Sequence, residues 1–179
     1  MPESDAPLHI ALNESLCTGC LSCMLVCSER HYGATNLLRA RIRIRLDPLT
    51  AEHSGITCHQ CTDGPGGLAP CADICPQEAI QYDDTVRAWL VTEDDCISCG
   101  QCVDACPYGI MQLDIVTDIA QKCDLCQGQA HCVEACPTGA LSLTDADGRV
   151  LMGGGATQQG VCQEDVFQKG ASQEGGHGH

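Results

Sequence analysis

The cysteine pattern constrains this chain more than any other feature of its sequence. Sixteen of its 17 cysteines form four groups of four, and the groups share closely related spacings. The first and third are Cys17-x2-Cys20-x2-Cys23-x3-Cys27 and Cys96-x2-Cys99-x2-Cys102-x3-Cys106-Pro107. The second and fourth have an insertion before their third cysteine and are Cys58-x2-Cys61-x9-Cys71-x3-Cys75-Pro76 and Cys123-x2-Cys126-x5-Cys132-x3-Cys136-Pro137. Such an internal repeat predicts four related structural units.

The chemistry of the thiolate explains why this spacing matters. The uninterrupted run resembles the bacterial ferredoxin signature, in which three closely spaced cysteines bind one 4Fe-4S cluster and the fourth binds the other cluster of a pair. Soft thiolates favour iron–sulfur clusters or zinc over hard cations, but a zinc ribbon uses two well-separated C-x2-C pairs. This spacing therefore disfavours zinc. Because no group has lost a cysteine, the sequence predicts four 4Fe-4S clusters.

The composition also requires cross-links. Among 179 residues only five are aromatic, and a core so poor in large side chains needs metal sites or disulfides to hold it. The N-terminal segment MPESDAPLHIALNES has no basic n-region, apolar h-region or twin arginine, so the sequence favours a cytoplasmic protein over an exported one. Because the cytoplasm is reducing, metal sites are then favoured over disulfides. No apolar run approaches the roughly 20 residues of a transmembrane helix, so any link to a membrane is expected to come through a partner.

The net charge limits the possible partners. The formal charge is -15, and four oxidised clusters with ligated thiolates would lower it to about -23. Such a charge repels the phosphates of nucleic acids and favours docking onto basic patches of redox proteins. The sequence shows no catalytic nucleophile, acid–base pair or G-x-G-x-x-G motif, so we predict a protein that is not itself an enzyme.

Short elements surround the cysteine groups. Alternating runs at 79–82, 88–91 and 140–143 are typical of strands. The x3 spacing places the last two cysteines of a group about one helical turn apart, and the proline that follows ends this short helix. The sequence therefore predicts a loop-rich α+β fold of repeated strand, cluster loop, short helix and strand, with two such units in each ferredoxin-like half. Ser28 replaces the proline after Cys27, so the first group lacks that bend.

A basic segment stands out in this acidic chain. Residues 39–46 alternate strictly, so a strand would place four arginines on one face and apolar residues on the other. The arginines are Arg39, Arg41, Arg43 and Arg45, and the apolar residues are Ala40, Ile42, Ile44 and Leu46. This arginine face is either a docking surface or an ordinary solvated strand face. From about Gly153 onward the chain is rich in Gly and Gln, which predicts a mobile or partner-bound tail.

Four further residues each allow two interpretations. Cys162, in the tail, is a spare thiol or has a redox or intersubunit role. His59 and His131 lie beside cluster cysteines and either tune a cluster by hydrogen bonding or have no function there. Lys122 precedes Cys123 and either raises the potential of a nearby cluster or is an ordinary solvated lysine.

From about Leu8 to Leu143 the sequence resembles the four-cluster iron–sulfur subunits of the DMSO reductase type. The resemblance depends on CTGCLSCMLVC, CHQC with PCADICP, CISCGQCVDACPYGI, and KCDLC with CVEACPTGAL. This family includes small electron-transfer proteins of formate dehydrogenases, hydrogenases and carbon monoxide dehydrogenases. The segments CTGCLSC, CSERHYGATN and RARIRIRL are most similar to the small subunits that accompany tungsten-dependent aldehyde oxidoreductases.

The resemblance implies which cysteines share a cluster. The first group pairs with the fourth and the second with the third, in a roughly linear row. Cluster 1 would be bound by Cys17, Cys20, Cys23 and Cys136, cluster 2 by Cys58, Cys61, Cys71 and Cys106, cluster 3 by Cys96, Cys99, Cys102 and Cys75, and cluster 4 by Cys123, Cys126, Cys132 and Cys27. The implied domains are an outer half of residues 1–56 plus 118–150, an inner half of residues 57–117, and a tail of residues 151–179.

The implied function is a relay of single electrons without a substrate of its own. A tungsten or molybdenum aldehyde oxidoreductase would be the catalytic partner, and a flavin or NAD subunit, a ferredoxin or another relay would exchange electrons at the other end. The alternatives are a subunit of a formate dehydrogenase, hydrogenase or carbon monoxide dehydrogenase and, in another class, a regulatory or cluster-carrier protein. Clusters at both ends also allow self-association into an oligomeric relay.

Overall fold

The structure is a computed structural model that describes residues 6–50 and 52–155. The strands are β1 (Leu8–Leu12), β2 (Arg43–Leu46), β3 (His53–Ile56), β4 (Ile80–Asp83), β5 (Ala88–Val91), β6 (Gln112–Leu113), β7 (Ala120–Gln121), β8 (Leu141–Asp145) and β9 (Val150–Gly153). The α-helices are α1 (Ser22–Tyr32), α2 (Pro70–Asp73), α3 (Gln101–Asp104) and α4 (His131–Glu134). Loops and short 3-10 turns connect them, so the predicted loop-rich α+β character is confirmed.

A three-stranded antiparallel sheet joins the two ends of the described chain. Its strand order is β1-β8-β9, and Ile10 of β1 lies opposite Leu143 of β8. Alternate side chains of both strands face the interior, since Leu8 and Ile10 are buried in β1, and Leu141 and Leu143 in β8. The sheet therefore brings the segment before the first cysteine group next to the segment after the fourth.

Strand β9 changes the boundary that the sequence predicts for the C-terminal tail. The chain turns after β8 around Gly148, which has a φ of +78°, a conformation that glycine adopts without steric cost. β9 then pairs with β8. Residues 151–153 belong to the sheet because this turn returns them to a strand edge with free hydrogen-bonding groups. Residues 156–179, including Cys162, lie outside the described residues, so both interpretations of Cys162 stay predictions.

The runs at 79–82 and 88–91 form the strands β4 and β5. These strands pair as an antiparallel hairpin, with Ile80 opposite Val91. The pairs β2-β3 and β6-β7 are also antiparallel and contain two strands each. An isolated two-stranded hairpin is marginally stable in water, so each of these pairs depends on what packs against it.

The arginine-rich segment is only partly a strand. β2 begins at Arg43, whereas Leu37–Arg39 forms a 3-10 turn. Asn36 begins this turn, and its Oδ1 accepts a hydrogen bond from the N–H of Leu38 at 3.0 Å. The prediction of one strand over 39–46 is therefore wrong in its first half, because capping by the Asn36 side chain favours a turn there.

Proline controls the length of the helices. α2, α3 and α4 have four residues each, and each contains the third cysteine of its group and ends before the Cys-Pro pair. α1 has 11 residues, because Ser28 keeps the backbone N–H that proline would lack. Ser28 is buried, and its Oγ donates to the carbonyl of Leu25 and accepts from the N–H of Asn36. α1 ends at Tyr32, and the residue that caps it, Gly33, has a φ of +65°.

Buried side chains form two groups within the described residues. The first includes Ile10 and is drawn mainly from residues 8–44 and 125–143. The second includes Trp89 and is drawn from residues 69–120. α1 contacts α4, whereas α2 contacts α3. Cluster cysteines belong to both buried groups, so the core and the candidate binding sites are built from the same side chains. No helix in this part of the chain is long and apolar enough to cross a bilayer.

Candidate iron–sulfur cluster sites

Twelve of the predicted cluster cysteines line three separate cavities. The first cavity is lined by Cys58, Cys61, Cys71 and Cys106, the second by Cys75, Cys96, Cys99 and Cys102, and the third by Cys17, Cys20, Cys23 and Cys136. The empty space within them, including the part open to solvent, is about 350, 360 and 310 Å³. In each cavity three cysteines come from one sequence group and the fourth from another. The similar sizes and four-thiol linings indicate the same kind of occupant in each.

The other four predicted ligands, Cys27, Cys123, Cys126 and Cys132, interact with one another in the interior. Burial raises the pKa of Cys132, and negative charge on Cys27 and Cys126 raises it further. Burial also raises the pKa of Cys123, with an additional contribution from charge on Cys132. Such effects act over short distances, and Cys27 and Cys132 also belong to the same buried group, against which Cys123 packs, so both observations support a common location of these thiols.

Burial makes the thiols that line the three cavities costly to ionise unless a cation is present. It raises the pKa of Cys23 and Cys71 to about 12 and that of Cys102 to about 11, and charge on neighbouring thiols adds to each shift. All sixteen cysteines of the described residues are free of disulfides. Several thiolates around one small cavity need metal ions to neutralise them, and soft sulfur ligands favour iron–sulfur clusters. The residues present therefore fit 4Fe-4S clusters.

Each Cys-x2-Cys loop contains a left-handed residue at the same position. The residue before the second cysteine has a φ of +66° at Gly19, +50° at Gln60, +57° at Ser98 and +56° at Leu125. Glycine adopts this conformation readily, whereas other residues keep it only where the surrounding structure enforces it. Only Gly19 signalled the conformation in the sequence. The structural repeat is thus more regular than the residue types suggest.

Backbone N–H groups from distant segments donate to two cluster cysteines. The N–H of Arg41 lies 3.3 Å from Sγ of Cys27, and the N–H of Ala120 lies 3.4 Å from Sγ of Cys96. Hydrogen bonds to sulfur are among the factors that set the reduction potential of an iron–sulfur cluster. Sequence spacing could not reveal these donors, because they come from outside the cysteine groups that they contact.

Two arginines of the basic segment form internal ion pairs. Arg39 Nε donates to Asp114 Oδ1 at 2.7 Å, and the Arg39 guanidinium lies 3.6 Å from the centroid of the Tyr32 ring. This hydrogen bond holds the pKa of Asp114 below its usual value. Arg41 Nη1 donates to Asp124 Oδ2 at 2.9 Å. Both ion pairs connect the basic segment to the chain after the third cysteine group.

The predictions for the arginine face are therefore wrong for most of its members. Arg43 also points inward and donates to the Ile110 carbonyl and to the side chain of Gln112. Arg45, by contrast, is exposed. Neither a docking surface nor a solvated strand face describes the first three arginines, because carboxylate, amide and carbonyl oxygens of a distant segment accept their hydrogen bonds.

Lys122 is buried, so its interpretation as a solvated lysine is wrong. The residue is 4% exposed and lines the first cavity. Its Nζ donates to Gln60 Oε1 at 2.8 Å, to the Cys123 carbonyl at 3.2 Å and to the Trp89 carbonyl. Its positive charge opposes the rise in the pKa of Cys71 that burial causes. Gln60, which the sequence did not single out, is 2% exposed and completes this network.

The histidines near the cysteine groups have several kinds of partner. The His59 ring stacks on Tyr108 with 3.9 Å between centroids, and both rings line the first cavity. His131 pairs with a glutamate one turn later on α4. His31 carried no signal in the sequence, but its Nε2 lies 3.9 Å from Sγ of Cys126. It reaches that position because α1 continues past its cysteines.

Cys20 and Cys99 are the exposed members of the sixteen described cysteines. Cys20 lines the third cavity and Cys99 the second. The apolar side chain of Ile97, which lines the second cavity, is 59% exposed, and that of Leu16, which precedes Cys17 of the third cavity, is 47% exposed. The second and third cavities therefore approach the surface beside apolar side chains that a partner protein could cover.

Comparison with known proteins identifies related sequences over all four cysteine groups. The family described as "4Fe-4S dicluster domain" matches residues 51–146, and that described as "4Fe-4S binding domain" matches residues 14–33. The chain is 36% identical over 123 residues to the "aliphatic sulfonate oxidoreductase, polyferredoxin-like subunit" of Pyrococcus furiosus, with 68% of this chain and 66% of that protein covered. It is 36% identical over 122 residues to "Protein NrfC" of Escherichia coli, with 64% and 52% covered.

Each of the first three curated relatives extends beyond the segment that matches this chain. The chain spans 19%, 66% and 66% of the length of the first three curated relatives. Among solved structures, the "active site complex BamBC of benzoyl coenzyme A reductase" has a TM-score of 0.44 and 25% identity, with 76% of both chains covered. Since this TM-score is below 0.5, the family assignment depends on the sequence matches.

Proposed function

Because the chain belongs to the 4Fe-4S dicluster domain family and binds multiple 4Fe-4S clusters, we propose that it is a non-catalytic subunit that relays single electrons between a catalytic oxidoreductase subunit and a second redox protein. The observation that carries this proposal is the distribution of cluster cysteines around separate cavities in one small chain. A bound 4Fe-4S cluster supplies a one-electron redox centre. The residues of this chain fix the sites in space, bury the sulfur ligands and supply the charges around them.

Four clusters with crossed ligand sets follow from this proposal. Clusters 1, 2 and 3 would be bound by the cysteines of the third, first and second cavities, and cluster 4 by Cys27, Cys123, Cys126 and Cys132. The four-thiol linings support the first three sets. The mutual pKa effects among the remaining thiols support the fourth set.

The same ligand sets divide the chain into an outer and an inner ferredoxin-like half. The two separate groups of buried side chains support this division. So do the contacts of α1 with α4 and of α2 with α3. The outer half would contain both ends of the described chain, and the pairing of β1 with β8 would join its two segments.

The clusters would form a row in the order 3, 2, 4, 1. Charge on Cys58 contributes to the raised pKa of Cys123, which supports adjacent positions for clusters 2 and 4. Charge on Cys23 contributes to the raised pKa of Cys132, which supports adjacent positions for clusters 4 and 1. Clusters 3 and 1 would then stand at the ends, beside the exposed Cys99 and Cys20. Electrons would enter at one end and leave at the other.

The proposed catalytic partner is a tungsten or molybdenum enzyme that acts on an aldehyde, and the second partner is a flavin or NAD subunit or a ferredoxin, in the cytoplasm. The support is the resemblance of the segments CTGCLSC, CSERHYGATN and RARIRIRL to the small subunits of such enzymes. The Pyrococcus relative is itself named as a subunit of an oxidoreductase. The acidic chain favours partners with basic docking faces.

Anaerobic affinity purification of the full chain from its natural host tests the proposal. We expect a co-purifying large subunit that contains tungsten or molybdenum, iron and acid-labile sulfide of about sixteen each per chain, and bleaching of the clusters when the enzyme's aldehyde substrate is added. A large subunit without either metal would refute this partner but not the relay. Stoichiometric zinc without charge-transfer absorption, or clusters that pass intact to an apoprotein, would refute the relay.

A further inference from the structure

We propose that Lys122 holds an uncompensated positive charge against the first cavity and makes its cluster the higher-potential member of the central pair, clusters 2 and 4. Electrons that cross the relay would then rest on cluster 2. The inference rests on the proposed function, because it assumes that both clusters are bound. It adds to that function a specific site of electron storage and the side chain responsible for it.

The hydrogen bonds of Lys122 indicate the ammonium form. Its Nζ has three acceptors, which are Gln60 Oε1, the Trp89 carbonyl and the Cys123 carbonyl. All three are oxygen atoms. An ammonium group has three N–H donors and no acceptor, whereas a neutral amine has only two donors. The three acceptors therefore match the charged form donor for donor.

Gln60 fixes the position of this charge. Its Oε1 accepts from Lys122 Nζ and also from the N–H of Trp89 at 2.9 Å, while its Nε2 donates to the Cys123 carbonyl at 2.8 Å. Gln60 lies between two ligands of the first cavity, Cys58 and Cys61. Every polar atom of the Gln60 and Lys122 side chains thus has a hydrogen-bond partner, and the network joins the loop of one cysteine group to the first residue of another. The ammonium group cannot leave without breaking several hydrogen bonds at once.

No carboxylate neutralises Lys122 within residues 6–50 and 52–155. The ion pairs found there are Arg39 with Asp114, Arg41 with Asp124, and three further pairs that do not include Lys122. Two arginines that point inward are therefore each matched by an acid, whereas within the described residues the buried lysine is matched only by neutral oxygens. A buried charge without a counter-ion is costly. The negative charge of a thiolate-ligated cluster is the compensation that the cavity offers.

The sign of the effect follows from this placement. Reduction adds one negative charge to a cluster, and a fixed positive charge in a medium of low dielectric constant stabilises the more negative state. The side chain of Lys122 lines the first cavity directly. On the other side of the network, Asp124 lies between two proposed ligands of cluster 4, but Arg41 pairs with it at 2.9 Å, so the two charges at that site balance. The lysine therefore separates the two potentials in favour of cluster 2.

Redox titration of the full chain, followed by EPR, tests this inference with three variants. Lys122→Met removes the charge and keeps a similar stem, Lys122→Arg keeps the charge, and Arg30→Met removes one positive charge from the exposed Arg30. We expect Lys122→Met to lower the reduced-to-oxidised ratio of one cluster at least tenfold at a fixed solution potential, which is a shift of about 59 mV for a one-electron couple. The affected cluster should be the one that is absent from Cys71→Ala. Lys122→Arg and Arg30→Met should leave that ratio close to the wild-type value.

Unchanged potentials in Lys122→Met with full iron content would overturn the inference, as would an equal shift in Arg30→Met. If Lys122→Met does not retain its clusters, Gln60→Glu provides the same test, because it places a carboxylate beside Nζ. It should lower the potential of the same cluster, and an unchanged potential would overturn the inference. Iron and sulfide contents of the wild type are measured first, since a deficit of one cluster refutes the proposed ligand sets independently of Lys122.

Discussion

Gly154 allows a sharp test of how the end of the folded chain closes the third cavity. A Cβ atom at this position would lie 2.7 Å from the Val133 carbonyl oxygen, 2.8 Å from the Leu141 carbonyl oxygen and 3.2 Å from Cβ of Cys136. The two shortest contacts involve backbone atoms, which cannot rotate away as a flexible side chain could. Gly154→Ala therefore has to move the end of β9 away from the sheet or displace Cys136.

The expected cost has two parts. Overpacking of this kind costs about 1–3 kcal/mol. The N–H of Gly154 donates to the Leu141 carbonyl at 2.8 Å, and the loss of that hydrogen bond adds about 1 kcal/mol. The sum is about 2–4 kcal/mol, which shifts the unfolding equilibrium roughly 30- to 700-fold. Because the added Cβ also presses on Cβ of Cys136, we further expect the loss of one cluster, or about four of sixteen iron atoms.

Gly153→Ala is the matched control, because a Cβ there has no atom within 4 Å. Anaerobic urea denaturation gives the free energy of unfolding of both variants, and iron analysis gives their cluster content. Gly153→Ala should match the wild type or be slightly more stable, since alanine lowers the entropy of the unfolded chain. Equal stability and equal iron content of the two variants would refute the close packing of Gly154 and the role of Cys136 that depends on it.

Three further predictions follow from individual contacts. Cys27→Ala and Cys132→Ala should each lower the iron content from about sixteen to about twelve per chain and should remove the same EPR signal; loss of different signals in the two variants would contradict the crossed ligand sets. Ser28→Ala should lower the free energy of unfolding by about 1–3 kcal/mol in urea denaturation, because the N–H of Asn36 loses the Ser28 Oγ acceptor at 2.9 Å, and an unchanged value would argue against this bond. Burial, and then charge on His59, lowers the pKa of His9, so protonation favours the unfolded chain and stability falls as the pH drops below about 6.5. Urea denaturation at about pH 7.5 and 5.5 should show a smaller loss in His9→Gln than in the wild type, and an equal loss would exclude His9 as the cause.

Local chemistry explains what could be predicted from the sequence. The type of cofactor follows from cysteine spacing, because thiolates a few residues apart can face one cluster. The lengths of the helices follow from the residue after the fourth cysteine, since proline ends three of them early and Ser28 allows α1 to continue. The strands at 80–83, 88–91 and 141–145 follow from short alternating runs.

The partners of charged side chains required the tertiary structure. The alternation at 39–46 favours an exposed arginine face, yet Arg39, Arg41 and Arg43 contact oxygens of residues 110–124. The start of the C-terminal tail also required the tertiary structure, because β9 pairs with the edge of β8, a strand partner that the Gly-rich composition does not indicate.

The cysteine repeat by itself therefore determined that this protein carries multiple iron–sulfur clusters. The tertiary structure decided which charges surround them. The sequence does not indicate whether Lys122 is exposed or buried. Its burial depends on a hydrogen bond to Gln60, which lies 62 residues earlier in the chain. Ligand spacing acts over a few covalent bonds, whereas the burial and pairing of a charge depend on segments that only the complete fold brings together.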